Sequence, residues 1–273
     1  MEEARSSIVL LMTATIAPKD CPDAQFDSDE RRRRYLRAFE FYVRRLNSKM
    51  YSGIVFAENS DANLDDFAAV VPQEYSKAVE FVSAPSGIFP KNLQKNNEFV
   101  LIDYAIDHSR LLKESVMGFF KVTGRYYFRN ISSLLKDVLQ RGSGLRLYCD
   151  QRDHRLYSKL GLKKKEQDGE TRFFFCSVQF WRENFYGYFK RNPKWRRVED
   201  IMFEVAVRHY GDNDCCFRYP HQPLLGGHQY SSKQGVDIVC MGVHFNPRVY
   251  FAFYYVRWFF ESLIRRVFPR FWF

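Results

Sequence analysis

An α/β fold with a mostly parallel central sheet is what this 273-residue chain predicts, and three stretches carry that expectation. Residues 7–15, SIVLLMTAT, form a continuous apolar run closed by small hydroxyl residues and then Pro18. That is the pattern of a strand buried on both faces under flanking helices. Residues 30–47 place Tyr35, Leu36, Phe39, Tyr42, Val43 and Leu46 at helical spacing, opposite an arginine-rich face. Residues 53–57, GIVFA, make a second short apolar strand. Ligands of an open α/β sheet bind beyond the carboxyl ends of its strands. Thr13 and Thr15 after the first strand, and Glu58, Asn59 and Ser60 after the second, are therefore expected to face one crevice suited to a base and a ribose.

The remaining elements follow in order. Residues 78–83 read as a third strand and 84–97 as a loop marked by Gly and Pro. Residues 98–114 read as a helix with Val100, Leu101, Tyr104, Ala105, His108, Leu111 and Leu112 on one face. His108 is expected there as a satisfied interior histidine. Residues 118–127 form an aromatic strand, and in FFKVTGRYYFRN (119–130) Lys121, Thr123 and Arg125 surround Gly124. A helix over 131–140 and the turn Gly142-Ser143-Gly144 lead to LRLYCD (145–150), a strand-like run that ends on Asp150 and continues as Gln151-Arg152-Asp153. Cation, strand and carboxylate in this order suit a nucleotide sugar: cations for a diphosphate, a turn that lets the ligand approach, and an acid for a metal or sugar hydroxyls. The same residues equally fit a buried hairpin held by a salt bridge.

Beyond Asp153 the texture changes. A charged hairpin-like turn spans 161–171, an aromatic strand 173–178, and a helix or loop rich in Phe and Tyr 181–190. Residues 199–209 read as a helix on which Asp200 and Glu204 share a face. The bland use of that pair is surface solvation; Phe203 and Val207 beside it predict partial burial instead. Residues 220–235, PHQPLLGGHQYSSKQG, form a loop long enough to be functional or disordered, and His228 and Ser231 are its candidate ligand contacts. The tail, 250–273, is dense in aromatics and contains Arg257, Arg265, Arg266 and Arg270. Charge interrupts it too often for a spanning helix. It reads as a basic helix in a headgroup region, aromatic side in and arginines toward anionic lipid, or as a helix capping the core.

Composition narrows the partners. Lys and Arg number 42 against 32 Asp and Glu, a formal charge of +10, and there are 27 Phe and 17 Tyr. That balance suits a polyanion: nucleic acid, anionic headgroups or a phosphorylated substrate. The run Arg31–Arg34 with Arg37 reads as a solvated helix face or a phosphate contact. Six cysteines without a CxxC pair, behind a first apolar run (8–12) too short for a secretory segment or a membrane span, predict free thiols in a reducing cytoplasm. Cys215-Cys216 reads as small apolar residues beside a strand rather than a ligand pair or a disulfide. No GxGxxG is present, which argues against a dehydrogenase.

With these residues in view, the chain resembles bacterial cell-surface polysaccharide glycosyltransferases of capsule and O-antigen assembly. The likeness is carried by Thr13-Ala14-Thr15, Glu58-Asn59-Ser60, Lys121-Val122-Thr123-Gly124-Arg125, Asp150-Gln151-Arg152, the helix 199–204 and Gly226-Gly227. It implies a GT-A-like, Rossmann-related single domain over 1–249, with a nucleotide-sugar half (7–153), an acceptor half (154–249) and a membrane-associating tail (250–273). It implies a nucleoside-diphosphate donor, a UDP-sugar first, held by Thr13, Thr15, Glu58, Asn59, Ser60, Lys121, Thr123, Gly124, Arg125, Asp150 and Arg152. His228 and Ser231 fall on the acceptor side. The acceptor would be a lipid-linked, polyprenyl-diphosphate type of glycan at the inner face of the plasma membrane. Asp150 takes the place of the family's acidic Asp-x-Asp motif, which meets Mn or Mg, but Arg152 fills the third position and Asp153 the fourth. Arg125, Lys121 or Arg152 would then neutralise the leaving diphosphate in place of a metal. Inverting transfer needs a carboxylate to take the acceptor proton; Glu204 is the first candidate and Asp200 the second. Two other readings stand beside it. One is a basic, aromatic single-stranded nucleic-acid-binding protein, against which the dispersed cations and the lack of an RNP or zinc signature count. The other is a non-catalytic scaffold on the same fold.

Overall fold

A seven-stranded sheet with helices on both faces organises the chain. The computed structural model describes residues 8–18, 28–86, 97–113, 116–153, 167–192 and 196–226, with 256, 259–260 and 262–267 near the C-terminus. The first three strands are β1 (Ile8–Ala14), β2 (Gly53–Glu58) and β3 (Val79–Ser83). They are joined through α1 (Ser28–Val43) and the short α2 (Asp65–Ala69). Next come α3 (Asn97–His108), β4 (Gly118–Thr123), β5 (Tyr127–Phe128), α4 (Ile131–Arg141) and β6 (Leu147–Tyr148). A ribbon pairs β7 (Gln151–Asp153) with β8 (Gln167–Gly169), antiparallel. Then follow β9 (Phe173–Cys176), helices α5 (Val178–Asn184), α6 (Tyr188–Arg191) and α7 (Val198–Arg208), β10 (Cys215–Cys216) and β11 (Leu225–Gly226).

The sheet order is β10-β6-β9-β4-β1-β2-β3. β1 pairs in parallel with β2 and β4, β2 with β3, and β6 with β10; β9 runs antiparallel between β4 and β6. The sheet is therefore mostly parallel, as the apolar runs predict. Side chains alternate across it with period two. Ile8, Leu10, Met12, Phe56, Phe120 and Val122 join the core under α1 and α4, while Val9, Leu11, Val55, Phe119 and Phe174 join the core under α3, α5 and α7. Both faces are covered, which is why β1 reads as an unbroken apolar run rather than an alternating one.

Among the described residues most aromatic side chains lie inside. Phe39, Phe56, Phe67 and Phe81 cluster on one face, and Phe99, Phe119, Phe174, Phe185 and Trp181 on the other. Each fully buried Phe contributes roughly 1.5–3 kcal/mol of transfer free energy. Among the described residues, the large aromatic side chains left exposed are Tyr210, Phe259 and Phe260.

Three local expectations change. The helix expected over 98–114 ends at His108, because the Ser109 hydroxyl accepts from the Leu111 and Leu112 amides and closes the helix in a tight turn. His108 is consequently exposed, stacked on Tyr104 one turn earlier at 3.8 Å, and not an interior histidine. The run 145–150 contributes only Leu147 and Tyr148 to the sheet. Arg31, expected on a solvated or phosphate-binding face, is buried: its guanidinium donates to the carbonyls of Thr15 (2.5 Å) and Ile16 (3.3 Å).

Candidate functional site at the carboxyl edge of the sheet

Winding reverses at β1: β2 and β3 lie to one side, and β4 with everything after it to the other. Such a switch point in an open α/β sheet splits the loops beyond the strand ends and leaves a crevice between them. The loops that follow β1, β2, β4 and β6 all leave from this one edge, because β2 and β4 are parallel to β1 and β6 runs the same way as β4, both being antiparallel to β9 between them. Thr15, Glu58, Arg125 and Asp150 therefore lie along a common edge, spread over four strand-to-strand steps of about 4.8 Å each.

Period-two alternation divides that edge into two sides. On the α1 side, Glu58 is fully buried and its carboxylate is consumed by the loops. It accepts from the amides of Ile16 (3.1 Å), Ser60 (2.9 Å) and Ala62 (3.3 Å), and from the Ser60 hydroxyl. Ser60 Oγ in turn accepts from Ala17 N at 2.8 Å, and Thr15 Oγ1 donates to Asn59 Oδ1 at 2.7 Å. Glu58 and Ser60, expected as ligand contacts, thus act as the fastening between the β1 and β2 loops. Carboxylate bonds to backbone amides are charge-assisted and strong, so this end of the crevice is rigid.

On the α3 side a second network closes the switch point itself. Thr13 and Thr123 sit opposite one another in register, and both hydroxyls donate to Glu98 Oε1, at 2.9 and 3.0 Å. Lys121 is fully enclosed; its ammonium reaches Glu98 Oε1 (2.5 Å), Thr123 Oγ1 (2.9 Å) and the carbonyl of Thr171 (2.5 Å). Burial pushes this ammonium below its ordinary pKa, and Glu98 opposes that shift. Its three donors are all taken, so Lys121 is a buried cation that holds β4 to α3, and the salt-bridge reading of this stretch describes it. Thr13, Lys121 and Thr123 turn away from the α1 side and toward Glu98.

Between the two sides the backbones come close. Gly124 N donates to Thr13 O at 2.7 Å, and a Cβ on Gly124 would stand 2.8 Å from that oxygen and 3.1 Å from the Tyr35 ring. Glycine is required here by the approach of β4's exit to β1. Arg125 follows, half-buried, its guanidinium 5.0 Å from the centre of the Tyr126 ring.

Toward β6 the edge carries alternating charge. Asp150 is buried and Arg265, from the C-terminal helical residues 262–267, grips it with both nitrogens, Nη1 to Oδ1 at 2.6 Å and Nη2 to Oδ2 at 3.0 Å. The Tyr219 amide adds a longer contact to Oδ1 at 3.4 Å. Arg152 pairs with Glu170 at 3.0 Å, and Arg172 binds the same carboxylate through Nε at 2.7 Å and through Nη2. Burial raises the Glu170 pKa, but Arg172 and Arg152 outweigh it and hold the carboxyl down at about 2. A Mn or Mg ion does not fit at Asp150 as it stands, because a guanidinium already occupies both carboxylate oxygens.

The acids proposed for proton transfer lie on α7. Glu204 is exposed and tied to Arg196 at 2.7 Å, beside an equally exposed Val207, so the partial burial expected from Phe203 and Val207 does not occur at Glu204. Asp200 stands a turn earlier, 3.9 Å from Arg197, and Glu199 next to it lies close enough to act on the charge of Lys121. His228 and Ser231 lie outside the described residues. Of the tail, Ser262 and Arg265 are buried against the body, while Val256, Phe259, Phe260, Leu263, Ile264 and Val267 are exposed. Of the four arginines expected to face lipid, Arg265 faces Asp150 instead and Arg266 is exposed beside His221, while Arg257 and Arg270 lie outside the described residues. Among the described residues no helix is long and apolar enough to cross a membrane.

Reading residue types alone misses Glu98, Glu170 and Arg172, and gives Arg31 and Arg265 to solvent, phosphate or lipid rather than to the interior. One signal was present for Glu98: a lysine at an inward position of an apolar strand demands a buried partner. Nothing in the spacing says that the partner stands in the first turn of α3.

No protein-family description and no curated protein matches this sequence. Among solved structures, mouse xyloside xylosyltransferase 1 in its apo form overlaps with a TM-score of 0.42 at 9% identity, over 77% of this chain and 84% of that one. The galactosyltransferase LgtC, in complex with donor and acceptor sugar analogs, overlaps with a TM-score of 0.46 at 10% identity, over 77% and 73% of the two chains. An active-site mutant of LgtC gives 0.45 at 11% identity, over 77% and 72%. These proteins share an outline with this chain at low identity, and no residue role passes from them to it.

Proposed function

We propose that this protein is a glycosyltransferase that moves a sugar from a nucleoside-diphosphate donor to a hydroxyl of a lipid-linked glycan, as in bacterial surface-polysaccharide synthesis. One observation supports the reading: the β1/β4 switch point, where Gly124 lets the two strand exits approach, Thr15 bonds to Asn59, and Arg125 follows Gly124. Thr15 and Asn59 suit the ribose and base, and Arg125 the diphosphate. Charge grows on the diphosphate as the glycosidic bond breaks, and cations held in place beforehand stabilise that charge most effectively. Arg125 takes this role first. Arg152 and Arg172, pre-oriented by Glu170, lie further along the edge toward β6. With Asp150 already matched to Arg265, the leaving group is neutralised by guanidinium groups rather than a divalent ion. A carboxylate of α7 takes the acceptor proton; Asp200 now precedes Glu204, which Arg196 clamps.

A melting-temperature screen of the full chain against UDP, GDP, CMP and ADP tests the class, since a bound nucleotide raises the transition in proportion to RT ln(1 + [L]/Kd). UDP is expected to give the largest shift, with or without manganese. Arg125→Ala should weaken UDP by about 1.5–3 kcal/mol, the worth of a charged hydrogen bond, while the melting temperature without nucleotide stays near wild type. Equal UDP shifts in the variant and the wild type would remove Arg125 from the site. No shift with any nucleotide would remove the donor reading altogether.

The exposed apolar side chains of the C-terminal residues support the acceptor part of the proposal. Ser262 and Arg265 point inward while Phe259, Phe260, Leu263 and Ile264 point out, the reverse of a helix that caps a core. An apolar face so presented suits a membrane interface, with the enzyme peripheral to the inner leaflet. Vesicles containing anionic lipid should pellet the wild-type protein but not a Phe259→Ser, Phe260→Ser double variant that still binds UDP. Pelleting of the double variant at the wild-type level would rule the membrane surface out.

A further inference from the structure

We infer that His209, Asp212 and Cys215 form a binding site for one borderline-soft divalent cation of the zinc class, separate from the nucleotide crevice. One ligand atom from each of the three, with all of these atoms within 4.8 Å of one another, defines the cluster. Cys215 opens β10 in register with Leu147, at the amino end of β6. The cluster thus lies at the opposite end of these strands from Asp150.

Local backbone structure builds the cluster. α7 ends at Arg208, and the chain then makes two successive turns in which Asp212 N donates to His209 O (3.1 Å) and Cys215 N donates to Asp212 O (3.2 Å). These two turns, the first passing through Gly211 at φ 102°, bring the ligand atoms of His209, Asp212 and Cys215 to one side of the loop. The ligands therefore come from one short loop anchored at both ends, by α7 and by the β10–β6 pairing.

The imidazole is oriented for the task. Asn184 Nδ2 donates to Phe180 O at 3.1 Å, which fixes the amide and leaves its Oδ1 facing His209 Nε2 at 3.1 Å. Nε2 must then carry a proton, which leaves Nδ1 as the ring's ligand atom; Nδ1 lies 2.8 Å from Asp212 Oδ2, where a proton bridges the two atoms and a cation would take its place. A ligating histidine whose other nitrogen donates to a fixed oxygen is the usual outer-sphere arrangement of a metal site. Phe180 packs edge-on against the ring at 4.8 Å and limits its rotation.

Asp212 can turn to a cation without stranding a charge. Arg146 touches it at 3.3 Å, but the main partner of Arg146 is Asp214, held through Nε at 2.6 Å and Nη2 at 3.1 Å. A nitrogen, a sulfur and a carboxylate oxygen make a donor set that favours zinc over magnesium or manganese, and three protein ligands leave a fourth position for water. The cation would tie the end of α7 to the edge strand β10.

Cobalt reports the site directly, because a thiolate–cobalt bond adds a charge-transfer band that oxygen and nitrogen ligands do not. The untagged full chain is titrated with Co²⁺ and with Zn²⁺, with Mg²⁺ as the control. The expected result is one equivalent of Zn²⁺ or Co²⁺ with the thiolate band, loss of that band in Cys215→Ser, and affinity about 10–100-fold weaker in Asn184→Ala. The melting temperature of the metal-free protein serves as the folding check on both variants. A wild-type protein without the band, a band that survives Cys215→Ser, or an unchanged affinity in Asn184→Ala would each overturn the assignment. In that case His209 and Asp212 form only an ion pair.

Discussion

Replacing Glu98 with alanine is expected to cost the fold about 3–5 kcal/mol, the usual penalty for stranding one member of a buried ion pair. Lys121 has no exposed surface, and among the described residues Glu98 is its only anionic partner by hydrogen bond. Without that carboxylate the ammonium must stay charged against two neutral oxygens, lose its proton, or draw water into the β1/β4 junction. The Thr13 and Thr123 hydroxyls lose their acceptor at the same moment. A Glu98→Leu, Lys121→Met double variant should recover most of the loss, since apolar replacements of similar volume leave no charge behind. Urea unfolding reads both results as a shift in midpoint at constant slope. A single-variant loss under about 1 kcal/mol, the range of a surface pair, would mean that the network is solvated and does not close the switch point.

Arg265→Ala is expected to cost a comparable amount, about 3–5 kcal/mol, for the same electrostatic reason. Asp150 is buried and both its oxygens are matched to one guanidinium. The bidentate geometry makes lysine a poor substitute, so Arg265→Lys should also fall short of wild type. A second readout separates this variant from a simple core defect. With Arg265 gone, residues 262–267 lose the ion pair to Asp150 and should become accessible to limited proteolysis before the rest of the chain unfolds. Wild-type stability together with wild-type protease resistance would show that this contact does not hold the C-terminal helix in solution.

Residues 8–58 illustrate how far reading residue types reaches. The unbroken apolar run of β1, the stripe of α1 and the second apolar run of β2 were legible because burial on two faces or one leaves a period in the sequence. The polar residues after β1 and β2 were legible as strand ends. Their division of labour was not. Glu58 looks like a ligand contact, yet it fastens two loops, and Arg31 looks like a solvated helix face, yet it lies buried against Thr15 and Ile16. Type and spacing say that an acid or a base is present; only its neighbours say what it is bonded to.

What the sequence determined by itself was the succession of apolar strands and amphipathic helices, and with it a parallel sheet whose polar loops gather at one edge, because hydrophobic periodicity is a local property. Only the tertiary structure decided which charges meet. Lys121 finds Glu98 across 23 residues and Asp150 finds Arg265 across 115, since strand order and helix docking set those neighbours. A buried charge takes whichever partner the packing brings within about 3 Å.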